Sequence, residues 1–440
     1  MGTAGDMATR EDRILWNIVT EHFEEACWAF RAWTRALESP VQTLGDVERK
    51  IEERLLAHLD GLVVGGDAVA RRLLEPEWAG GPDVEKERLV AAGAALMGQG
   101  RQDAVEPALW ASNPLVSDAA LHVLSLFGSA HTDAWVAAQL ADSHPRTRGR
   151  VVQLAAARGV VVASPLASLQ SDDIDERIAG LVAARLAPAS QHLRFVQEMA
   201  YASEWRVRDA ALVTGLILGW QQVMDRCVEL ARDGEAPQPT PTLLVALFGD
   251  RMLHYVLTQH LAEPSHRAAA LRAIGFSGNV TLIDAILPHL ASDDRRVARL
   301  AGEAISNLTG IDAFAPPYAA HAPEDADSLP PLEDDDLDAN LVPDAKDDLP
   351  VPNAAAFTAF WRARASSFDP RSRLLWGKPW TLERALQGLS VAPMRQRHPL
   401  ALWVEVRTGG HARISTRALS RTQRRQIEVA RSTRDVALSA

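Results

Sequence analysis

From about residue 86 to residue 311, apolar and polar positions recur in one layout with a period of roughly 30 residues. Segments opening at Ser117, Arg148, Asp175, Trp205, Pro241 and Ser265 each read as an Ala-rich helix, a turn, and a second helix with Leu, Ile, Val and Phe at helical spacing. Small residues fall where neighbouring units must approach closely. One such helix pair cannot bury its own apolar face, so the pairs are predicted to stack. The fold class is therefore all-α: a right-handed α-solenoid of HEAT-like helix pairs over residues 84–311, with a long curved surface suited to a large partner. Within it Leu121, Leu154, Leu181, Leu212 and Leu271 are expected in the core, and Trp135, Trp205 and Trp220 as core or groove aromatics.

Before the repeats, residues 1–83 read as an N-terminal helical cap. Phe23, Ala26, Phe30 and Trp33 form one apolar stripe, and Ile51, Leu55, Leu56 and Leu59 form a second that should end at Gly61. Gly80-Gly81-Pro82 breaks the pattern. After residue 311, prolines at 316, 317, 323, 330, 331, 343, 350 and 352 exclude a continuous helix. Residues 312–353 therefore read as an acidic proline-rich linker, extended and without regular structure from 313 to 353. Residues 354–440 read as a basic helical C-terminal domain. Its helices are a segment from Phe357, a second capped by Thr381, a third stopped by Gly409-Gly410, and a basic last one.

Charge sharpens this division. The 440 residues are 47% hydrophobic, ample for a folded core, and carry a net charge of −11. Residues 321–350 hold eleven acids and one lysine, whereas residues 354–440 hold sixteen Lys or Arg and five acids. An acidic body disfavours nucleic acid as a partner. In the tail, helices joined through Ser390–Pro393, with Arg395, Arg397, Arg421, Arg424 and Arg425 nearby, could imitate a helix-turn-helix. The oppositely charged linker and body are a nearer electrostatic partner, at high effective concentration, so intramolecular docking is preferred. The acids Asp334, Asp335 and Asp336 and the bases Arg395, Arg397, Arg424 and Arg425 are the candidate partner-binding residues.

Cys27 and Cys227, each in an apolar helical pattern, read as buried thiols and fit a reducing cytoplasm. The N-terminus shows no secretion or myristoylation signal, and no apolar run is long enough to span a bilayer. Motifs for chemistry are missing: no phosphate-binding loop, dinucleotide fingerprint, nucleophile elbow or zinc helix. Gly65-Gly66 reads as a turn. His254 and His260, six apart, fall on different helix faces, and no His precedes a Glu. His22 with Glu25 is the one helical pair at metal-ligand offset and reads as a solvated face. No catalytic residue, metal or cofactor is expected.

Several strings carry a resemblance: RLLAHLDGLVVGG at 54–66, LRAIGFSGNVTLIDAILPHL, ARLAGEAISNLTGID at 298–312, FWRARASSFDPRSRLLWGKPWTLERAL and RQRHPLALWVEVRTGG. Together with the acidic linker they resemble a bacterial family of HEAT-repeat proteins over nearly the whole chain. The tryptophan pair usual in that family stands here as Phe360-Trp361. The family is labelled as of unknown function, and its members are similar to proteins encoded beside type VI secretion spikes and their toxins. That neighbourhood, taken with an acidic array that lacks catalytic motifs, points to a cytoplasmic immunity protein that binds and neutralises a secreted effector toxin encoded nearby, a nuclease being the natural match for an acidic inhibitor. The alternatives are an adaptor that loads an effector onto the secretion spike and, further off, a helical-repeat enzyme or nucleic-acid binder.

Overall fold

The computed structural model describes residues 14–81, 84–142, 145–186, 189–232, 238–320 and 345–439. They are mostly helical; the sheet among them is a two-stranded antiparallel hairpin, β1 (Leu374–Leu375) and β2 (Lys378–Pro379). In chain order the longer helices are α1 (Trp16–Ala36), α2 (Glu53–Val64), α3 (Lys86–Gly98), α4 (Pro114–Phe127), α5 (Ala130–Asp142) and α6 (Pro145–Arg158). They continue with α7 (Ile174–Ala184), α8 (Ala189–Met199), α9 (Trp205–Ile217), α10 (Val223–Arg232), α11 (Pro239–Phe248) and α12 (Tyr255–Ala262). The last six are α13 (Pro264–Ile274), α14 (Arg295–Thr309), α15 (Ala354–Arg364), α16 (Leu382–Val391), α17 (Met394–Arg407) and α18 (Ser420–Ser439).

Two compact units form. The first takes the described residues of 1–37, 42–220 and 408–440, and the second those of 38–41 and 221–407. Composition had grouped residues 354–440 as one basic domain; packing divides them at 407, because apolar faces rather than net charge decide which helices associate.

In the first unit, α3 packs on α4, α4 on α6, α6 on α7 and α7 on α9, while α1 and α2 pack on each other and on α3. Every residue of α3 from Leu89 to Met97 is buried, as a helix with neighbours on several sides requires. Gly93 lets the Trp78 indole lie against it, since a Cβ there would stand 2.5 Å from the ring. The stripe Phe23, Ala26, Phe30 and Trp33 is buried, as are Cys27, Leu154, Leu181 and Leu212. Leu121 is only half-buried: the inward stripe of α4 is Val116, Ala119, Ala120, Val123 and Leu124, and Leu121 lies beside it. Nor does α2 stop at Gly61. It runs on to Val64, and Gly61 instead admits the His22 imidazole, 2.8 Å from where its Cβ would stand. Gly66, with φ of 59°, makes the turn after α2. Trp220 is buried and Trp135 leans on Trp110 at 5.6 Å, but Trp205, the first residue of α9, is exposed.

In the second unit α11 packs on α13 and α13 on α14, with α10 beside α11 and α12 beside α13. Leu271 and Cys227 are buried. Helices α16 and α17 pair, and α17 also touches α11. Thr381 caps α16 by accepting from the Arg384 amide. The Trp361 indole of α15 donates to Asp284 at 2.7 Å. Flanks of the acidic stretch carry defined structure rather than the extended chain expected from 313 to 353. Ala320 N–H donates to the Val351 carbonyl at 2.8 Å and Asn353 N–H to the Tyr318 carbonyl at 2.7 Å. Asp347, in a short helix, pairs with Arg299 at 2.8 Å.

Candidate functional site

Three of the strings that carry the resemblance, LRAIGFSGNVTLIDAILPHL, ARLAGEAISNLTGID and FWRARASSFDPRSRLLWGKPWTLERAL, lie in the second unit. Helix α14 starts at Asp294, whose carboxylate accepts from the Arg296 and Val297 amides, and ends at Gly310 in the left-handed region with φ of 81°. A helix end leaves its last carbonyls without partners. Here the turn after β1 supplies them: Trp376 N–H donates to the Asn307 carbonyl at 2.7 Å and Gly377 N–H to that of Leu308 at 3.0 Å. Both turn residues have positive φ, 52° for Trp376 and 71° for Gly377. The fit depends on glycine. A Cβ on Gly310 would lie 2.6 Å from the Trp376 oxygen, and one on Gly377 only 2.3 Å from that of Thr309. On the other side, Leu374 N–H donates to the Gly278 carbonyl at 2.9 Å.

Arg373 fastens this junction. Its Nε donates to the Ser277 carbonyl at 3.0 Å and a terminal nitrogen to that of Ala246 at 2.6 Å. Its guanidinium sits 5.6 Å from the Trp380 ring, Trp380 and Trp403 lie 5.5 Å apart, and Arg407 covers Trp403 at 5.5 Å. Burial, with the Arg407 charge adding to it, pushes Arg373 down to about 10. His254, 3.3 Å from the Asn279 side chain through Nδ1, is pushed down to about 4 by burial and then by Arg373. It is neutral near pH 7. Such a junction holds cationic and aromatic groups rigidly by main-chain hydrogen bonds, which suits positioning rather than proton transfer. Among the described residues no group of three or more His, Cys, Asp or Glu could hold a metal ion.

Of the candidate partner residues, Asp334, Asp335 and Asp336 lie outside the described residues. The four arginines divide between the two units. Arg395 and Arg397 belong to the second unit and are buried. Arg395 pairs with buried Glu303 at 3.3 Å, while its N–H donates to the Ser39 carbonyl at 3.1 Å. Arg397 donates through Nε to the Leu389 carbonyl at 2.7 Å and reaches the Met394 sulfur at 3.3 Å. Neither presents its charge to a partner, because each fills the space where α17 begins. Arg424 and Arg425 lie on α18 in the first unit. Arg424 grips Glu48, and Arg425 is exposed.

Two features of the first unit were missed from sequence. Glu52 is buried and accepts from the Trp33 indole at 2.8 Å and, on both oxygens, from the Ser420 amide at 3.0 and 2.9 Å. A carboxylate thus sits at the first residue of α18, where helix amides and dipole favour negative charge. Burial, the largest influence, nevertheless holds Glu52 above the usual carboxylate range. The signal was present: Glu52, Leu55, Leu59 and Leu62 share one inward stripe. The second feature is His22, whose Nδ1 lies 2.9 Å from Nδ1 of His58. Glu25, one turn along α1 from His22, pairs with Arg54. Thirty-six residues separate the two histidines, so no local spacing could reveal them.

Comparison of the chain with protein-family models and with curated proteins finds no match.

Proposed function

We propose that this protein is a protein-binding scaffold that acts in the cytoplasm as a stoichiometric immunity protein, neutralising a secreted toxin without turnover. One observation carries the reading. Residues 321–344 contain nine acids and no Lys or Arg, and the described residues that flank this stretch meet, Ala320 N–H donating to the Val351 carbonyl. An acidic stretch whose flanks are tied together is suited to a basic surface, such as the one a nuclease presents to its substrate. Asp334, Asp335 and Asp336 would make the densest contact, and helix pairs stacked as a right-handed HEAT-like array would supply the larger surface. Steering by these acids would speed association and weaken with salt. The resemblance to proteins encoded beside type VI effectors supplies the class of partner.

The test is to express the neighbouring effector with and without this protein and to measure survival and complex formation. Immunity requires rescue and a 1:1 complex, with association slowed in D334N/D335N/D336N. A complex that leaves the effector toxic would favour the loading adaptor, and no complex would sink both readings.

A further inference from the structure

Between α1 and α2 in the first unit, two imidazoles face each other through the same atom type. Nδ1 of His22 and Nδ1 of His58 are 2.9 Å apart, the ring centroids 5.2 Å, and the rings are inclined at 58°. At neutral pH one nitrogen can donate and the other accept. The same spacing meets a second requirement, because two nitrogens bound side by side to one metal at roughly 2.0–2.1 Å each must lie about 3 Å apart. Both histidines are half-buried, so the pair borders solvent.

The surroundings fix this geometry. The His22 ring rests against Gly61, where a Cβ would stand 2.8 Å from the ring. Glu25, one turn along α1 from His22, is tied to Arg54, which leaves the imidazoles as the donors at this point. Burial, and after it the neighbouring His22, holds the His58 imidazole below its usual range, which keeps its ring nitrogens free of an extra proton.

We propose that His22 and His58 form a two-imidazole chelate for a borderline divalent transition-metal ion, Zn2+ or Cu2+, with water completing its coordination. Imidazole suits these ions, and Cu2+ stands highest in the affinity order for such donors. With two protein ligands the site binds reversibly; it clips α1 to α2 and does not build the fold. The inference stands independently of the proposed toxin partner.

Cu2+ is the probe, added to the tag-free, chelator-stripped full chain. The wild type is expected to bind one equivalent in its tightest class, with a paramagnetic resonance spectrum showing two imidazole nitrogens. His58→Gln should leave one such nitrogen and weaken binding by at least the roughly ten- to hundredfold that losing even an outer partner of a ligand costs. Gly61→Ala removes no ligand, yet should displace His22 and weaken binding similarly, while circular dichroism reports an intact fold. Zn2+ should compete with Cu2+ in the wild type. A tightest class with fewer than two imidazoles, or one unchanged in affinity and spectrum by both substitutions, would overturn the proposal.

Discussion

The C-terminal third of the chain is fastened in two places, and the fastenings use opposite chemistry. In the second unit, residues 374–380 are held by main-chain hydrogen bonds to the end of α14 and to Gly278, with glycines closing the gap. In the first unit, α18 is held at its first residue by one buried carboxylate, Glu52, which also holds Trp33. The first fastening is made by main-chain groups and leaves no room for a Cβ at Gly310 or Gly377. The second rests on a single ionisable side chain, and shape matters less to it than charge and hydrogen bonding.

The sharpest way to break this contrast is at the glycines. Gly377→Ala puts a Cβ 2.3 Å from a carbonyl oxygen at a φ of 71°. Backbone strain and overpacking together should cost about 4 kcal/mol. Urea unfolding of the second unit, followed by Trp fluorescence, should show the loss directly. Glu52→Ala comes next. It strands the Trp33 and Ser420 donors and should cost about 3 kcal/mol, whereas Glu52→Gln keeps an acceptor and should cost about 1 kcal/mol. Amide exchange at the start of α18 separates the two variants. If both cost the same, the carboxylate is not what holds the helix.

pH sharpens the comparison at smaller cost. Because the folded state raises the Glu52 pKa above the unfolded value of 4.5, its contribution is fully present below pH 4.5 and is lost as pH rises through the higher folded value. Gly377 and its partners contribute no such dependence. Both units carry a histidine that works the other way. His122, against Phe30 at 5.4 Å, is pushed down to about 4 by burial, as is His254. Unfolded histidine takes its proton near pH 6.5, so stability should fall as pH drops from about 6.5 to 4, by about 2 kcal/mol for each histidine. Thermal melts of His122→Phe and His254→Leu across that range should show a flatter slope. The smallest effect is expected on α18 itself: Arg424→Ala, which loses Glu48, should cost about 0.5–1 kcal/mol, and Arg425→Ala less than about 0.5 kcal/mol.

Helix positions, the Thr381 cap, the Phe23–Trp33 stripe and the buried cysteines were legible in the sequence, because each depends on spacing within one element. Leu121 and Gly61 were misread for opposite reasons. A one-residue phase error moved Leu121 onto the core stripe, and Gly61 looked like a helix stop although its role is to admit the His22 ring. The arginines at 395 and 397 were read as surface because arginine seldom lies inside, yet each has carbonyl, sulfur or carboxylate partners that only the folded chain assembles. The stripe Glu52, Leu55, Leu59 and Leu62 marked Glu52 as inward, but its partners, like those of the His22–His58 pair, are assembled only by the fold. Their partners lie 19 to 368 residues away.

Residues 354–440 divide at residue 407 between the two units, and each piece packs within its own unit. The most direct measurement is the proton–nitrogen correlation spectrum and thermal melt of segment 354–440 expressed alone. If the pieces need their fastenings, the segment will show narrow amide dispersion and no cooperative transition. A dispersed spectrum with a cooperative melt would mean that residues 354–440 fold as one domain, and would contradict the division at residue 407.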